Sequence, residues 1–334
     1  MVGRPVHPQL RTAVLDSLAD LRPGEQVLVA CSGGPDSLAL AAATAQVGRE
    51  RGLIAVAIVV DHRLQPGSTQ VAEQAAAICL QLGLDRAEVI AVSVTGDGGP
   101  EAAARTARYQ ALRRRAEAWD ARAVLLAHTL DDQAETVLLR LARGSGARTL
   151  AAMAPRQGIY RRPFLGLSRD VVHEGCRQAL EPLGLQAWRD PHNVDPRYAR
   201  VRVRAVLAEL VAALGPGVVA GLARSAELLR DDADALDEQA DAWMRRHAGD
   251  FPSDHAHGCD LSVEELLAVP RALRTRIIRA GCLAAGSPAT DLDRAHVAEV
   301  ERLVTAWHGQ GEIALPGRVQ AWRDYGRLRI HGSQ

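Results

Sequence analysis

"VLVACSGGPDSLALAAA", residues 27–43, governs how the rest of the chain is read. Val27 to Cys31 favour a buried strand. They run into Ser32-Gly33-Gly34-Pro35-Asp36-Ser37, and a helix of small residues follows. Strand, glycine turn and helix start make a phosphate cradle. Gly33 and Gly34 have no Cβ to hold a phosphate away from the backbone N–H groups, and the helix N-terminus adds favourable partial charge. Ser32 and Ser37 offer hydroxyl donors. Asp36 is the discordant member, because a carboxylate repels a polyphosphate. Magnesium held by that carboxylate and by phosphate oxygens removes the conflict. No Gly-Lys-Ser/Thr follows the glycines, so a P-loop kinase is excluded. On the hexapeptide alone, an ordinary Gly-Pro turn before a helix is the competing reading.

The flanking sequence repeats the strand–helix alternation. "LIAVAIVV" (53–60), "AEVIAVSV" (87–94) and "RAVLLAH" (122–128) read as further strands. Residues 36–50, 67–83, 100–119 and 131–142 read as helices, with Ser68 as the N-cap of the second. Continuous apolar strands between helices imply an α/β fold with a parallel sheet covered on both faces. Sites in such sheets lie beyond the carboxyl ends of the strands. Three of those ends carry polar residues: the loop 32–37, Asp61-His62, and His128 with Asp131-Asp132. From about residue 216 the pattern changes to a long helix with an acidic run, several shorter helices over 262–305, and a small β-element in "GEIALPGRVQAWRDYGRLRI". A domain boundary is therefore expected near "LGPG", giving a nucleotide-binding domain over 1–215 and a second, smaller, mainly helical domain over 216–334.

Composition narrows the chemistry. The chain has 334 residues, 47 % of them apolar, and a net charge of zero. All 40 basic residues are arginine, so no lysine nucleophile or Schiff base is available. The five cysteines are scattered without a CxxC pair, which argues against a zinc ribbon, an iron–sulfur cluster or a secreted disulfide framework. The lack of a signal peptide or a long uncharged apolar span leads to the expectation of a cytoplasmic protein with no membrane partner.

The hexapeptide after a strand resembles the PP-loop of the ATP pyrophosphatases, which cleave ATP between the α and β phosphates. Four further stretches follow in order: "VDHRLQPGS", "PEAAARTARYQAL", "LLAHTLDDQAETVLLRLARGSG" and "WRDPHNVDPRYARVRVRAVL". Together they resemble the tRNA(Ile)-lysidine synthetases over roughly residues 25–210, with "LPGRVQAWRDYGRLRI" similar to that family's terminal segments. Thr129-Leu130 depart from the His-Ala usual there. The resemblance implies a ligase that joins free L-lysine to carbon 2 of the first anticodon cytidine of the isoleucine tRNA with a CAU anticodon. ATP is the co-substrate, Mg2+ the metal, and AMP and pyrophosphate the products. The ring carbonyl is urea-like and unreactive, so its oxygen must first be adenylated. Lysine's ammonium, with a free pKa of about 10.4, must then lose a proton before it displaces AMP.

Residues carried over from the motifs follow. Ser32, Gly33, Gly34, Pro35, Asp36 and Ser37 would bind ATP, with Asp36 also holding the metal. Asp132 and Glu135 share a helix face and would recognise lysine or act in catalysis alongside Asp36; dipole-complementing carboxylates are the alternative. Asp61, His62, Arg105, Arg108 and His128 are candidate nucleotide or lysine contacts. Arg197, Arg200, Arg202 and Arg204, interleaved with Trp188 and Tyr198, suit a splayed base and its phosphates, and Arg271 and Arg274 form a second candidate RNA face. Other functions stay open on the residues: tRNA thiolation, for which a cysteine pair is lacking; small-molecule amidation, for which a glutaminase segment is lacking; and a non-catalytic tRNA-binding relative.

Overall fold

A computed structural model describes residues 6–63, 65, 67–94, 100–247 and 258–332. Two compact units divide between Leu228 and Leu229. The first holds α1 (Pro8–Ser17), β1 (Gln26–Cys31), α2 (Pro35–Arg51), β2 (Ile54–Asp61), α3 (Ser68–Gln81), β3 (Arg86–Ala91), α4 (Pro100–Ala118), β4 (Ala123–Leu125) and α5 (Leu130–Leu141). It continues through α6 (Ala147–Leu150), β5 (Arg156–Gln157), β6 (Tyr160–Arg161), α7 (Arg169–Leu180) and α8 (Ala199–Leu214) into α9 (Gly217–His247), inside which the division falls. "LGPG" is the break between α8 and α9.

The sheet order is β3-β2-β1-β4-β6-β5. β1 pairs parallel with β2 and β4, β2 with β3, and β4 with β6; β5 and β6 form an antiparallel hairpin at the edge. The chain leaves β1 towards β2 and β3, then returns to place β4 on β1's other side. That reversal opens a crevice beyond the carboxyl ends of β1 and β4, which is where ligands bind in such sheets. Alternation along β1 serves two cores. Val27 and Val29 face a cluster with α1, α2, α3 and α7, while Leu28 faces another with Leu112 and Ala116 of α4. Both clusters are made of buried apolar residues, so the strand is held from both sides.

α2 explains its own composition. It is buried on nearly every face from Ser37 to Gly48, which suits alanines that let neighbours approach closely. Pro35 fills its first turn, and Gly52 ends it in the left-handed region at φ 66°. Two details differ from the sequence reading. α3 is capped by Gly67 at φ 80°, with Ser68 as its first helical residue, because the turn into it needs a left-handed backbone. β4 is three residues long, since pairing with β1 and β6 stops at Leu125 and the chain turns into the site.

The second unit contains β7 (Gly258–Ser262), α10 (Val263–Ala268), α11 (Arg271–Ala284), α12 (Arg294–Thr305), β8 (Ile313–Leu315), β9 (Val319–Asp324) and β10 (Arg327–Gly332). Its antiparallel sheet runs β7-β10-β9-β8. The terminal β-element is thus a three-strand meander joined by β7, a strand that five residues with a glycine and an aspartate do not announce. Its own core gathers Trp243, Leu261, Leu266, Ile277, Val300, Leu328 and other apolar residues. Among the described residues no single helix is long and apolar enough to cross a membrane.

Candidate active site

The loop after β1 is stiffened from within. Gly33 lies in the left-handed region at φ 79°, and a Cβ there would meet Ala75 Cβ at 3.0 Å and Trp188 Cβ at 3.8 Å. The Trp188 N–H donates to the Gly33 carbonyl at 2.9 Å. Ser37 is buried; its hydroxyl accepts from Ser32 N–H at 3.2 Å and donates to the Gly34 carbonyl at 2.9 Å. It holds the loop's shape, whereas Ser32 is exposed, its hydroxyl 3.3 Å from that of Ser37. No side chain caps the first turn of α2, so its N–H groups face the crevice without a side-chain acceptor.

Asp36 sits in that first turn. Its Oδ1 is buried without a well-directed donor, although His173 Nε2 of α7 lies 3.0 Å from it. An orphaned carboxylate oxygen beside a backbone cradle fits a divalent ion shared with phosphates. No three His, Cys, Asp or Glu side chains gather to hold a metal among the described residues, so an ion here needs the substrate's oxygens.

At the end of β2, Asp61 is buried and serves the backbone. It accepts from Arg63 N–H at 2.9 Å and from Thr69 Oγ1 at 2.7 Å. Burial alone would raise its pKa, but the hydrogen bonds from Thr69, Ser68 and Arg63 outweigh that and leave it below the usual carboxylate range. His62 is lowered by burial and by Arg108, with Asp61 opposing.

The end of β4 carries the densest chemistry. His128 is pushed down to about 3, first by burial and then by Arg162, Arg105 and Arg200, against the pull of Asp132. It is a neutral imidazole, and its Nδ1 is buried without a partner. Thr129 N-caps α5 in a capping box: it accepts from the Asp132 N–H, and Asp132 Oδ2 accepts from Thr129 N–H at 2.8 Å. Asp131 Oδ2 accepts from the Arg169 N–H at 2.7 Å, joining the starts of α5 and α7. Glu135 is almost fully buried, yet charged partners surround it. Arg169 Nη2 and Arg204 Nε each donate to its Oε1 at 2.8 Å, and Arg169 Nη2 reaches Asp132 Oδ1 at 3.1 Å. Burial would raise the Asp132 pKa; the Thr129 backbone N–H and Arg169 overcome this and lower it.

The crevice therefore gathers the phosphate loop, His128, Asp132 and Glu135 in one unit. Arg105 donates to the Tyr109 hydroxyl at 3.2 Å and lies over that ring. Arg204, placed by the sequence reading in an RNA face, is the ion partner of Glu135. Arg197 pairs with Asp195, and Arg202 donates to the Pro196 and Arg197 carbonyls, ordering the turn into α8. In the second unit Arg271 and Arg274 both bind the buried Glu301; Arg274 is itself largely buried there. Arg169 and His173 were missed from the sequence. They stand in "SRDVVHEG", which reads as an ordinary helix start and matches no phosphate-loop or catalytic motif, and only the fold brings them to the crevice.

These features define a nucleotide-binding domain of the PP-loop class. The PP-loop domain family matches residues 7–211, and the TilS substrate binding domain matches residues 261–329. The tRNA(Ile)-lysidine synthase of Thermobifida fusca is 53 % identical over 322 residues, covering 96 % of each chain. That of Streptomyces coelicolor is 50 % identical, over 91 % of this chain and 84 % of that one, and that of Mycobacterium tuberculosis strain H37Rv is 47 % identical, over 88 % and 86 %. The chain belongs to the tRNA(Ile)-lysidine synthase family. Among solved structures, the U34-tRNA thiolase NcsA of Methanococcus maripaludis with its [4Fe-4S] cluster matches with a TM-score of 0.55 at 20 % identity, over 67 % of this chain and 78 % of that one, which is a likeness of fold.

Proposed function

We infer that the protein joins L-lysine to the first anticodon cytidine of a CAU-anticodon isoleucine tRNA, consuming ATP and yielding lysidine, AMP and pyrophosphate in the cytoplasm. The observation that carries this is one crevice holding both a lysine-free phosphate loop and a carboxylate pair three residues apart, a half-buried Asp132 and a buried Glu135. In the first half-reaction the cytosine carbonyl oxygen attacks the α-phosphorus of ATP, and the bond to pyrophosphate breaks. Gly33, Gly34 and the first turn of α2 present N–H groups to the departing pyrophosphate, and Ser32 adds a hydroxyl. Magnesium, when bound by Asp36 and phosphate oxygens, supplies charge neutralisation there.

In the second half-reaction the lysine ε-amine attacks carbon 2 and the carbon–oxygen bond to AMP breaks. Glu135, with Asp132 behind it, receives the ammonium and orients it; a carboxylate beside the amine also accepts the proton that must leave. Arg105 and His128 are assigned to the nucleotide side of the crevice, where a neutral imidazole can hydrogen-bond without adding charge. The second unit is assigned to tRNA. Thiolation lacks support: the five cysteines are free and buried, and Cys31, the one beside the phosphate loop, is tied to that loop by the Gly33 N–H and Ser37.

The test incubates the protein with α-labelled ATP, labelled lysine and CAU-anticodon isoleucine tRNA. Lysine is expected on the RNA with stoichiometric AMP. ADP in place of AMP, or sulfur incorporation without lysine, would sink the reading.

A further inference from the structure

We propose that Arg169 is a positioning residue of the lysine site, fixing Glu135 and Asp132 in one arrangement that leaves a single carboxylate oxygen, Glu135 Oε2, for the incoming amine. The proposal rests on the lysine-site reading above and deepens it. Four carboxylate oxygens are present in the pair. Asp132 Oδ2 is held by the Thr129 N–H and hydroxyl at 2.8 and 3.1 Å. Asp132 Oδ1 accepts from Arg169, and Glu135 Oε1 accepts from both Arg169 and Arg204. Both arginine bonds to Glu135 go to Oε1, and no hydrogen bond to its Oε2 is found among the described residues. Arg169 Nη2 bridges the two carboxylates at 3.1 and 2.8 Å; Arg204 holds Glu135 at 2.8 Å but stands 4.0 Å from Asp132, so Arg169 is the tighter link between the pair.

Arg169 is itself held at the backbone. It is the first residue of α7, its N–H is fixed by Asp131 Oδ2, and the preceding turn is pinned where Leu130 N–H donates to the Leu167 carbonyl at 2.8 Å. Rigid support of this kind separates a positioning group from a side chain that swings aside for the ligand. His173, one turn along the same face, approaches Asp36. A single helix face thus touches both the phosphate loop and the carboxylate pair, so the amine and the adenylated carbon are referenced to one rigid element. Two arginines around two carboxylates also leave the pair without net charge before the ammonium arrives. Removing one guanidinium leaves two buried anions facing each other, which disorders their geometry rather than freeing a better site.

The test measures the two half-reactions separately, with Arg169→Gln, Arg169→Lys and Glu135→Gln in the full chain. Arg169→Gln is expected to raise the lysine KM by roughly tenfold or more, with tRNA adenylation and the ATP KM within about twofold. Arg169→Lys, which keeps the charge but not the fork, is expected to recover part of the loss. Loss of adenylation and lysine transfer in equal measure, with no recovery by lysine, would make Arg169 a structural strut and overturn the proposal. An unchanged or lowered lysine KM would overturn it too, since Arg169 would then be a bystander or a competitor for the ammonium's place. If Glu135→Gln itself leaves the lysine KM unchanged, the lysine-site reading fails. If that variant raises it and Arg169→Gln does not, only the role of Arg169 fails.

Discussion

Gly33 shows how much one missing Cβ decides. Its φ of 79° disfavours any L side chain by about 1–2 kcal/mol, and a Cβ would also press on Ala75 at 3.0 Å. Gly33→Ala is therefore expected to fold and bind tRNA while its ATP KM rises roughly tenfold or more; an ATP KM equal to that of the parent would show that the loop tolerates displacement. His128 makes a different kind of test. Its folded pKa of about 3 lies below the ordinary value of 6.5, so the unfolded chain takes up a proton that the native site refuses. Stability from this group is complete above pH of about 6.5 and declines as pH falls towards 3, by at most about 1.4 kcal/mol per pH unit. His62 shifts in the same sense. Asp61 and Asp132 have lowered pKa values, so their contribution is lost only further down, below the ordinary carboxylate range. Between pH 6.5 and about 4.5 the imidazoles act alone of these four. Urea unfolding at a series of pH values is expected to show the decline in the parent and a shallower one in His128→Asn; parallel lines would show that His128 titrates normally. The glycines, Asp36 and the carboxylate pair were readable because a phosphate and an ammonium demand those residue types at short spacing. The low pKa of His128 was not, because burial in the folded crevice, followed by three arginines from separate elements, produces it.

Elements with clear apolar runs were legible for the same reason: β1 and β2 are buried on both faces, β3 is a half-buried edge strand, and the helices between them start and stop at glycine, proline or acidic residues. What stayed hidden depends on contacts distant in sequence. β4 ends early because its neighbours end, and β7 exists because β10 pairs with it from Arg327 to His331. The joint between α5 and α7 is the clearest case. Thr129, standing where the family commonly has histidine, caps α5 with Asp132, while Asp131 leaves its own helix to cap α7. Two helix starts are thereby locked side by side, which sets Arg169 against Glu135. Asp131→Ala removes the acceptor of a buried-side N–H and is expected to destabilise by about 1 kcal/mol. It is also expected to raise the lysine KM while leaving adenylation intact, because the loss loosens α7 without touching the phosphate loop. A denaturation midpoint equal to the parent's would mean that water replaces the carboxylate there and the joint is not structural.

Across the whole chain, every group assigned to bond-making lies in the first unit, whereas the second unit has its own core, an antiparallel sheet and a surface of arginine and aromatic residues. Tyr325 is 89 % exposed at the β9–β10 turn, and Arg323 lies over Trp307 with its Cζ 4.9 Å from the ring centroid. Rings and guanidinium planes of this kind suit unpaired bases and phosphates, and carry no chemistry of their own. A zero net charge hides that local pattern, because the acidic run of α9 balances arginines elsewhere. The two ligands should therefore leave different footprints in amide hydrogen exchange. ATP with magnesium binds backbone N–H groups of the loop and the first turn of α2, so slowed exchange is expected there and not across 258–332. CAU-anticodon isoleucine tRNA is expected to slow exchange in the β9–β10 hairpin as well as around α8. Asp36→Asn should abolish the ATP footprint and keep the tRNA one, since its proposed partner is the metal-bound phosphate. Protection of β9–β10 by ATP alone would contradict this division of labour, because every contact assigned to the nucleotide, from the loop's N–H groups to the metal-holding Asp36, is made by residues of the first unit.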